Sequence, residues 1–272
     1  MKPRAFAYLR PASVDEALNA LTQHGDDARI LAGGQSLIPM LNFRLLEPVM
    51  LVDISHVEEL GHIRMDGDML EVGAAVTQNQ LLNWSSLPEK APLLAALMPW
   101  VGHFQTRNRG TVCGSIAHAD PSSEIPLALA MMGGEVVLRS SRGTRTLRAD
   151  EFQTGMLSTA RDADEMLVAV RFPTTLTGKV GFREVARRHG DFAIVAIAAA
   201  QPSPGTLLLG LGGVEGSPVI RRFDWREGSD LRDEIDALAR EVETYEDIHA
   251  SPRMRRDIVR RLAPAVIAEL RT

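Results

Sequence analysis

The spacing of apolar residues changes several times along the chain, and each change marks a predicted element. Ala17, Leu18 and Leu21 recur at helical spacing behind Ser13 and Glu16, which supply a capping box, and ahead of Gly25, a stop; a helix is predicted over 13–24. Two short apolar runs, 28–32 and 49–54, then predict strands with a loop between them, so that the first fifty-odd residues read as a small α/β unit. Segments 62–65 and 69–73 flank Asp66-Gly67-Asp68, a hairpin signal, and a helix is expected over 77–82. The continuous apolar run 125–132 reads as a buried helix. A second hairpin, 135–139 with 144–147, turns at Arg142-Gly143, and 165–172 is a strand that ends at Pro173. Beyond the linker-like 173–179, three strands are predicted at 181–188, 193–200 and 206–211, the last two separated by the turn-rich 202–205. Two helices follow, at about 230–241 and 252–270, with Pro264 expected to break or kink the second. There is no internal repeat. The pattern gives an α+β chain with mainly antiparallel sheets, divided into 1–56, 57–175 and 176–272.

Composition removes several function classes. The 272 residues suffice for more than one compact unit. Lys+Arg 30 and Asp+Glu 35 are intermixed, with a formal net charge of −5 and no basic stripe, which argues against a nucleic-acid partner. The single cysteine, Cys113, rules out an intrachain disulfide, an iron–sulfur cluster ligated within the chain, and a cysteine-rich zinc site; the 7 histidines lack the paired spacing of a zinc helix, so no metal site is expected. The opening MKPRAFAYLRPAS has no long apolar run, and no segment approaches the roughly eighteen apolar residues of a membrane span. A cytoplasmic, soluble protein is expected.

Two glycine-bearing segments carry the candidate chemistry. Leu31, Ala32, Gly33, Gly34, Gln35, Ser36 and Leu37 form one; Gly110, Thr111, Val112, Cys113, Gly114 and Ser115 form the other. Glycine pairs let backbone approach a ligand closely, and successive N–H groups in such turns make an anion-binding nest, here with the Ser36, Thr111 and Ser115 hydroxyls and the Gln35 amide at hand. A lone Gly-Gly after a strand is usually only a turn; two such loops suit a ligand with two phosphates, and Asp120 and Glu124 lie where ribose or adenine groups would be hydrogen-bonded. Other features read more simply. Ser115, His118 and Asp120 lie too close in sequence for a hydrolytic triad. Cys113 reads as a packing choice. Gly210-Leu211-Gly212-Gly213 lacks the spacing and the βαβ context of a dinucleotide fingerprint and ends a strand tightly. Arg253, Arg255, Arg256, Arg260 and Arg261 read as the solvated face of the last helix, or else a docking surface.

LAGGQSLIPMLNFRL, RNRGTVCGSIAHADPSSE and the later LGLGGV occur in the order of like segments in the FAD-binding middle subunit of the molybdenum hydroxylases, the xanthine dehydrogenase and carbon monoxide dehydrogenase family, and the chain resembles that family over nearly its full length. The resemblance implies a two-subdomain FAD-binding fold of the p-cresol methylhydroxylase / vanillyl-alcohol oxidase type, followed by a C-terminal three-stranded sheet with helices, with FAD extended between the first two subdomains and its pyrophosphate against both glycine loops. Carried over by position, it places residues 31–37 and 111–115 at phosphate and flavin, Val101 and Gly102 near the nucleotide, Glu124 and Asp120 at its sugar, Leu167 beside the adenine, Arg183 where the family often has lysine, and Phe192 over the isoalloxazine. For His103 and His189 a solvated or hydrogen-bonded structural role outweighs a place at the flavin edge. The second loop departs from the family's usual Gly-Gly by carrying Cys113-Gly114. The implied function is electron transfer: a molybdopterin-binding large subunit hydroxylates substrate, a [2Fe-2S] small subunit relays electrons, and this chain's FAD passes them to an external acceptor, in a heterotrimer doubled by symmetry. No general acid or base is named. A nucleotide-binding regulatory or assembly module, and a free-standing flavin oxidoreductase of the same fold, are the alternatives.

Overall fold

The structure, a computed structural model, describes residues 2–226 and 230–271. Helix α1 (Val14–His24) starts at Ser13, whose hydroxyl accepts a hydrogen bond from Glu16 N at 3.2 Å, and stops at Gly25 with φ +49. The return arm of the capping box is offset by one residue, because the Glu16 carboxylate accepts from Ala12 N instead of Ser13 N. The buried stripe Val14, Ala17, Leu18 and Leu21 packs on a parallel sheet of β1 (Ala7–Leu9), β2 (Ala28–Leu31) and β3 (Met50–Asp53), in the order β1-β3-β2. Where the sequence suggested only a loop between β2 and β3, Leu37–Asn42 forms α2. Pro39 is tolerated there because a first-turn N–H has no partner inside a helix.

The hairpin of β4 (Ile63–Asp66) and β5 (Met69–Gly73) forms one side of a five-stranded antiparallel sheet, and β6 (Glu135–Ser140) with β7 (Gly143–Arg148) the other. Between β5 and β6 run α3 (Gln78–Leu82), α4 (Leu87–Lys90), α5 (Pro92–Leu97), α6 (Phe104–Arg107), α7 (Val112–His118) and α8 (Glu124–Met132). After β7, the short α9 (Ala149–Phe152) leads into a two-stranded hairpin, β8 (Gln153–Gly155) and β9 (Ser158–Thr159). The last strand, β10 (Met166–Pro173), lies centrally between β5 and β6, so the order is β4-β5-β10-β6-β7.

The third sheet is antiparallel and has four strands, not the expected three: β11 (Val180–Val185), β12 (Val195–Ser203), β13 (Thr206–Gly212) and β14 (Val219–Asp224), in that order. The fourth is an edge strand whose Arg221 and Arg222 face solvent. Helices α10 (Arg232–Glu241) and α11 (Pro252–Glu269) close the chain, and α11 runs through Pro264 without interruption. The alanine-rich β12 shows how the sheet is used. Alternate residues point to opposite faces: Val195, Ile197 and Ala199 join the core under α10 and α11, whereas Ala196, Ala198 and Ala200 join the large core shared with α5 and α8. A Cβ on Gly210 would lie 2.4 Å from Met131 Sδ, so this glycine lets α8 lie close on β13. Gly213, with φ +73, makes the turn after it, and neither glycine belongs to a nucleotide fingerprint.

Candidate functional site

The two glycine segments meet. A Cβ on Gly33 would lie 2.1 Å from the Arg109 carbonyl oxygen and 2.6 Å from Gly110 Cα, so the first loop rests directly on the backbone of the second. Strand β2 delivers Leu31 to a bend at Ala32 and Gly33; Gly34, at φ +72, then turns the chain into α2. Gly34, Gln35, Ser36 and Leu37 donate no backbone hydrogen bond among those of the described residues, while Gly34 O accepts from Ile38 N at 3.0 Å. The second segment is not a free loop. Thr111 caps α7, its hydroxyl accepting from Gly114 N at 3.0 Å, and Gly114 and Ser115 lie in the helix's first turn. A Cβ on Gly114 would sit 2.7 Å from that hydroxyl oxygen, so glycine here serves the cap. Gln78 N donates to Gly110 O and Val112 N to Val76 O, fixing the segment to the turn before α3. The Cys113 side chain points away from this cleft into the core, where Sγ lies 3.4 Å from Val72 O and burial pushes the thiol far up. Cysteine in place of glycine therefore leaves the cleft unobstructed.

Around the junction a cavity of about 330 Å³ is lined by residues 31–35, Ile38, Pro39, Asp53, Ser55 and Arg109. Five of these, Ile38, Pro39, Asp53, Ser55 and Arg109, are not among the candidate residues read from the sequence. Arg109 is exposed at the rim. Asp53, at the end of β3, accepts from the Tyr8 hydroxyl and from Ser55 N at 2.9 Å. Burial opposes its ionisation, but the Ser55 and Tyr8 hydrogen bonds outweigh it and hold the carboxyl below its ordinary range. Tyr8 sits on the short, exposed β1, which gave no sequence signal, so this pair emerges only from the parallel pairing of β1 with β3.

The remaining predicted residues fall into two groups. Val101 and Gly102 are held by Arg107, whose Nη1 donates to their carbonyls at 2.9 and 2.7 Å; a Cβ on Gly190 would lie 3.0 Å from Gly102 C and 2.5 Å from His103 Nδ1. The segment carrying Phe192, which is 56% exposed, thus lies against Gly102 and His103. His189 stacks edge-on with Trp100 at 5.6 Å. Arg183 is not part of this group. Alternation on β11 sends it toward α11, where it pairs with Glu269, and it is Glu184 that faces the interior. Asp120 accepts from Ser122 N at 2.8 Å, which shapes the turn into α8. Glu124, in the first turn of α8, is 3% exposed. Its burial, with Asp120 nearby, raises it to about 7; burial and the facing Glu124 raise Glu184 to about 8. Leu167 is buried at the bulge of β10, next to Val168, whose carbonyl accepts from Ala74 N.

Arg255 corrects the reading of the arginine run. It is 1% exposed, donates from Nη1 to Gly213 O at 2.7 Å and to Ile194 O, donates from Nε to Tyr245 O, and pairs with Asp247 at 2.6 Å. It thereby ties the start of β12, two residues past Phe192, to the end of β13. A helical period places it on the same side as Val259, and that buried stripe was the available signal. Arg256 donates to Val242 O and Arg260 pairs with Asp236 and Asp257.

Comparison with known proteins gives a consistent likeness. Residues 4–175 match the family model described as FAD binding domain in molybdopterin dehydrogenase. The nicotine 6-hydroxylase medium subunit of Paenarthrobacter nicotinovorans is 34% identical over 282 residues, spanning 99% of this chain and 98% of that one. Caffeine dehydrogenase subunit beta of Pseudomonas sp. (strain CBB1) is 43% identical over 196 residues, 71% of this chain and 66% of the relative. Among solved structures, quinoline 2-oxidoreductase from Pseudomonas putida 86 superposes with a TM-score of 0.91 at 35% identity, covering 99% of this chain and 98% of that one. Among the described residues, no helix is long and apolar enough to cross a membrane.

Proposed function

The chain belongs to the FAD-binding domain family of the molybdopterin dehydrogenases, and from that premise we propose that it is the electron-transfer subunit of a molybdenum hydroxylase, receiving electrons from a [2Fe-2S] partner chain and passing them to an external acceptor. The observation that carries this reading is the contact of Gly33 with Arg109 and Gly110, which sets the first segment, with its unengaged N–H groups at 34–37, directly on the backbone of the second. The residues fit the cofactor. A row of unengaged N–H groups suits a phosphate, and the exposed Arg109 at the rim supplies positive charge.

FAD supplies redox chemistry, exchanging electrons singly or in pairs. What the chain contributes is binding and orientation. Residues 31–37 with Thr111, Gly114 and Ser115 hold the pyrophosphate; Asp120 and Glu124 orient sugar hydroxyls; Leu167 lies toward the adenine; Val101, Gly102 and Phe192 border the isoalloxazine. Arg183, bound to Glu269, acts at most from outside this shell. No residue is assigned as general acid or base. The three sheets support a division at 1–56, 57–175 and 176–272, with the first two units forming the p-cresol methylhydroxylase-type cradle and the third covering the flavin edge through residues 190–192.

The partners are a molybdopterin-binding large subunit and an iron–sulfur small subunit, in a doubled heterotrimer working in the cytoplasm. The test is anaerobic. The flavin absorbance of the assembled complex should bleach on addition of a substrate of the molybdenum chain, whereas the FAD-loaded chain alone should not respond. Flavin that stays oxidised while the iron–sulfur clusters are reduced would sink the electron-transfer role.

A further inference from the structure

Glu124 enters the core on the first turn of α8 and Glu184 enters it from β11, so one carboxyl belongs to the second sheet's helical layer and the other to the third sheet. Both oxygens of Glu184 are buried, and neither meets an N–H or hydroxyl donor; what faces them is the Glu124 carboxyl. Among the described residues, no cation is set against either carboxyl. Helix α8 carries no other ionisable residue; α5 and β12, both packed against β11, carry none. Asp120, in the turn before α8, adds negative charge. Burial lowers the pKa of His118, at the end of α7, against the pull of Asp120. Arg183 points to the opposite face and binds Glu269, while Arg187 and Arg188 lie beyond the strand in solvent, Arg188 on Asp191. Two facing buried carboxylates without a counter-ion cannot both ionise.

We propose that Glu124 and Glu184 share one proton, in a carboxyl–carboxylate hydrogen bond that fastens the start of α8 to β11 and makes Glu184 the positioning residue for Glu124. The shared proton removes the repulsion between the two elements and leaves Glu124 a fixed acceptor orientation. The sign of the pH effect follows. Both groups bind protons more tightly in the folded chain than in the unfolded one, so the stability they contribute is fully present below the ordinary carboxylate range and is lost as pH rises through about 7 to about 8. The further step, that cofactor retention falls with it, rests on the placement of Glu124 at the FAD sugar.

The test compares the full-length chain with Glu184→Gln, whose amide donates to the Glu124 carboxylate without a titrating proton. The melting temperature of the FAD-free wild type should fall between about pH 6 and about pH 9, and the Glu184→Gln profile should be flatter. The FAD Kd of the wild type should rise about tenfold over that range, and that of the variant by less than about twofold. Should Glu184→Gln not fold, carboxyl carbon NMR of glutamate-labelled wild type reads the same point: two coupled resonances titrating together well above the ordinary range are expected. Superimposable melting profiles, or glutamate resonances that all titrate normally, would overturn the proposal. A changed melting profile with FAD affinities equally sensitive to pH in both proteins would uphold the shared proton and withdraw Glu124 from the cofactor site.

Discussion

At the scale of single residues, the glycines of the site are required by other parts of the protein. Gly33 cannot carry a Cβ because the Arg109 carbonyl occupies its place at 2.1 Å, and backbone has little freedom to retreat. Gly33→Ala should therefore part the two loops and abolish FAD retention in a protein that still folds, read as loss of flavin absorbance after desalting with circular dichroism unchanged. Cys113→Ser makes the opposite case. Its side chain faces Val72 in the core, so FAD should remain bound while some stability is lost. Ser36 makes no side-chain cap on α2, which leaves its hydroxyl for a ligand; Ser36→Ala should weaken FAD binding by about 1 kcal/mol, roughly fivefold in Kd by titration. An unaltered Kd would remove Ser36 from the site.

At the scale of elements, α7 and α11 set the geometry. Thr111 caps α7 through Gly114 N, so Thr111→Val should cost about 1 kcal/mol in denaturant unfolding and disturb the second segment as well. Arg255 holds the start of β12 and the end of β13 from within α11. Arg255→Met would leave the Ile194 and Gly213 carbonyls and Asp247 without their donor, and a loss of about 3 kcal/mol is expected, with weaker order around Phe192. These elements also mark where the sequence was and was not readable. Strong periodicity with caps made α1, the two hairpins, β10 and the strands β11 to β13 legible. The small, glycine-containing VCGSIAH looks like a loop, because its helix is started by a side-chain cap that propensity does not register. The short exposed β1 and the charged edge strand β14 have no apolar alternation to announce them; pairing with β3 and β13 makes them strands. Arg255 is the same lesson for a side chain, since charge hid a buried position.

At the scale of the whole molecule, two sets of carboxylates act in opposite directions. Burial disfavours ionised Glu71 and Glu165, but Arg171, His62 and Arg64 for the first and Arg145 for the second outweigh it and hold both below the ordinary range. Their stabilisation is present above the unfolded-state pKa and lost as pH falls, whereas that of Glu124 and Glu184 is lost as pH rises toward about 8. The chain should consequently melt highest between about pH 5 and about pH 6 and lower on either side; a melting temperature still climbing at about pH 8 would contradict this balance. The first two sheets matter functionally because they bring Gly33 onto Arg109 and Gly110 beside one cleft. Whether that cleft holds FAD is read most directly from the visible spectrum of the purified chain after incubation with FAD and desalting, with chromatography of the chromophore that heat releases. The account predicts one FAD per chain; a folded protein that stays colourless alone and with its partner subunits would contradict it.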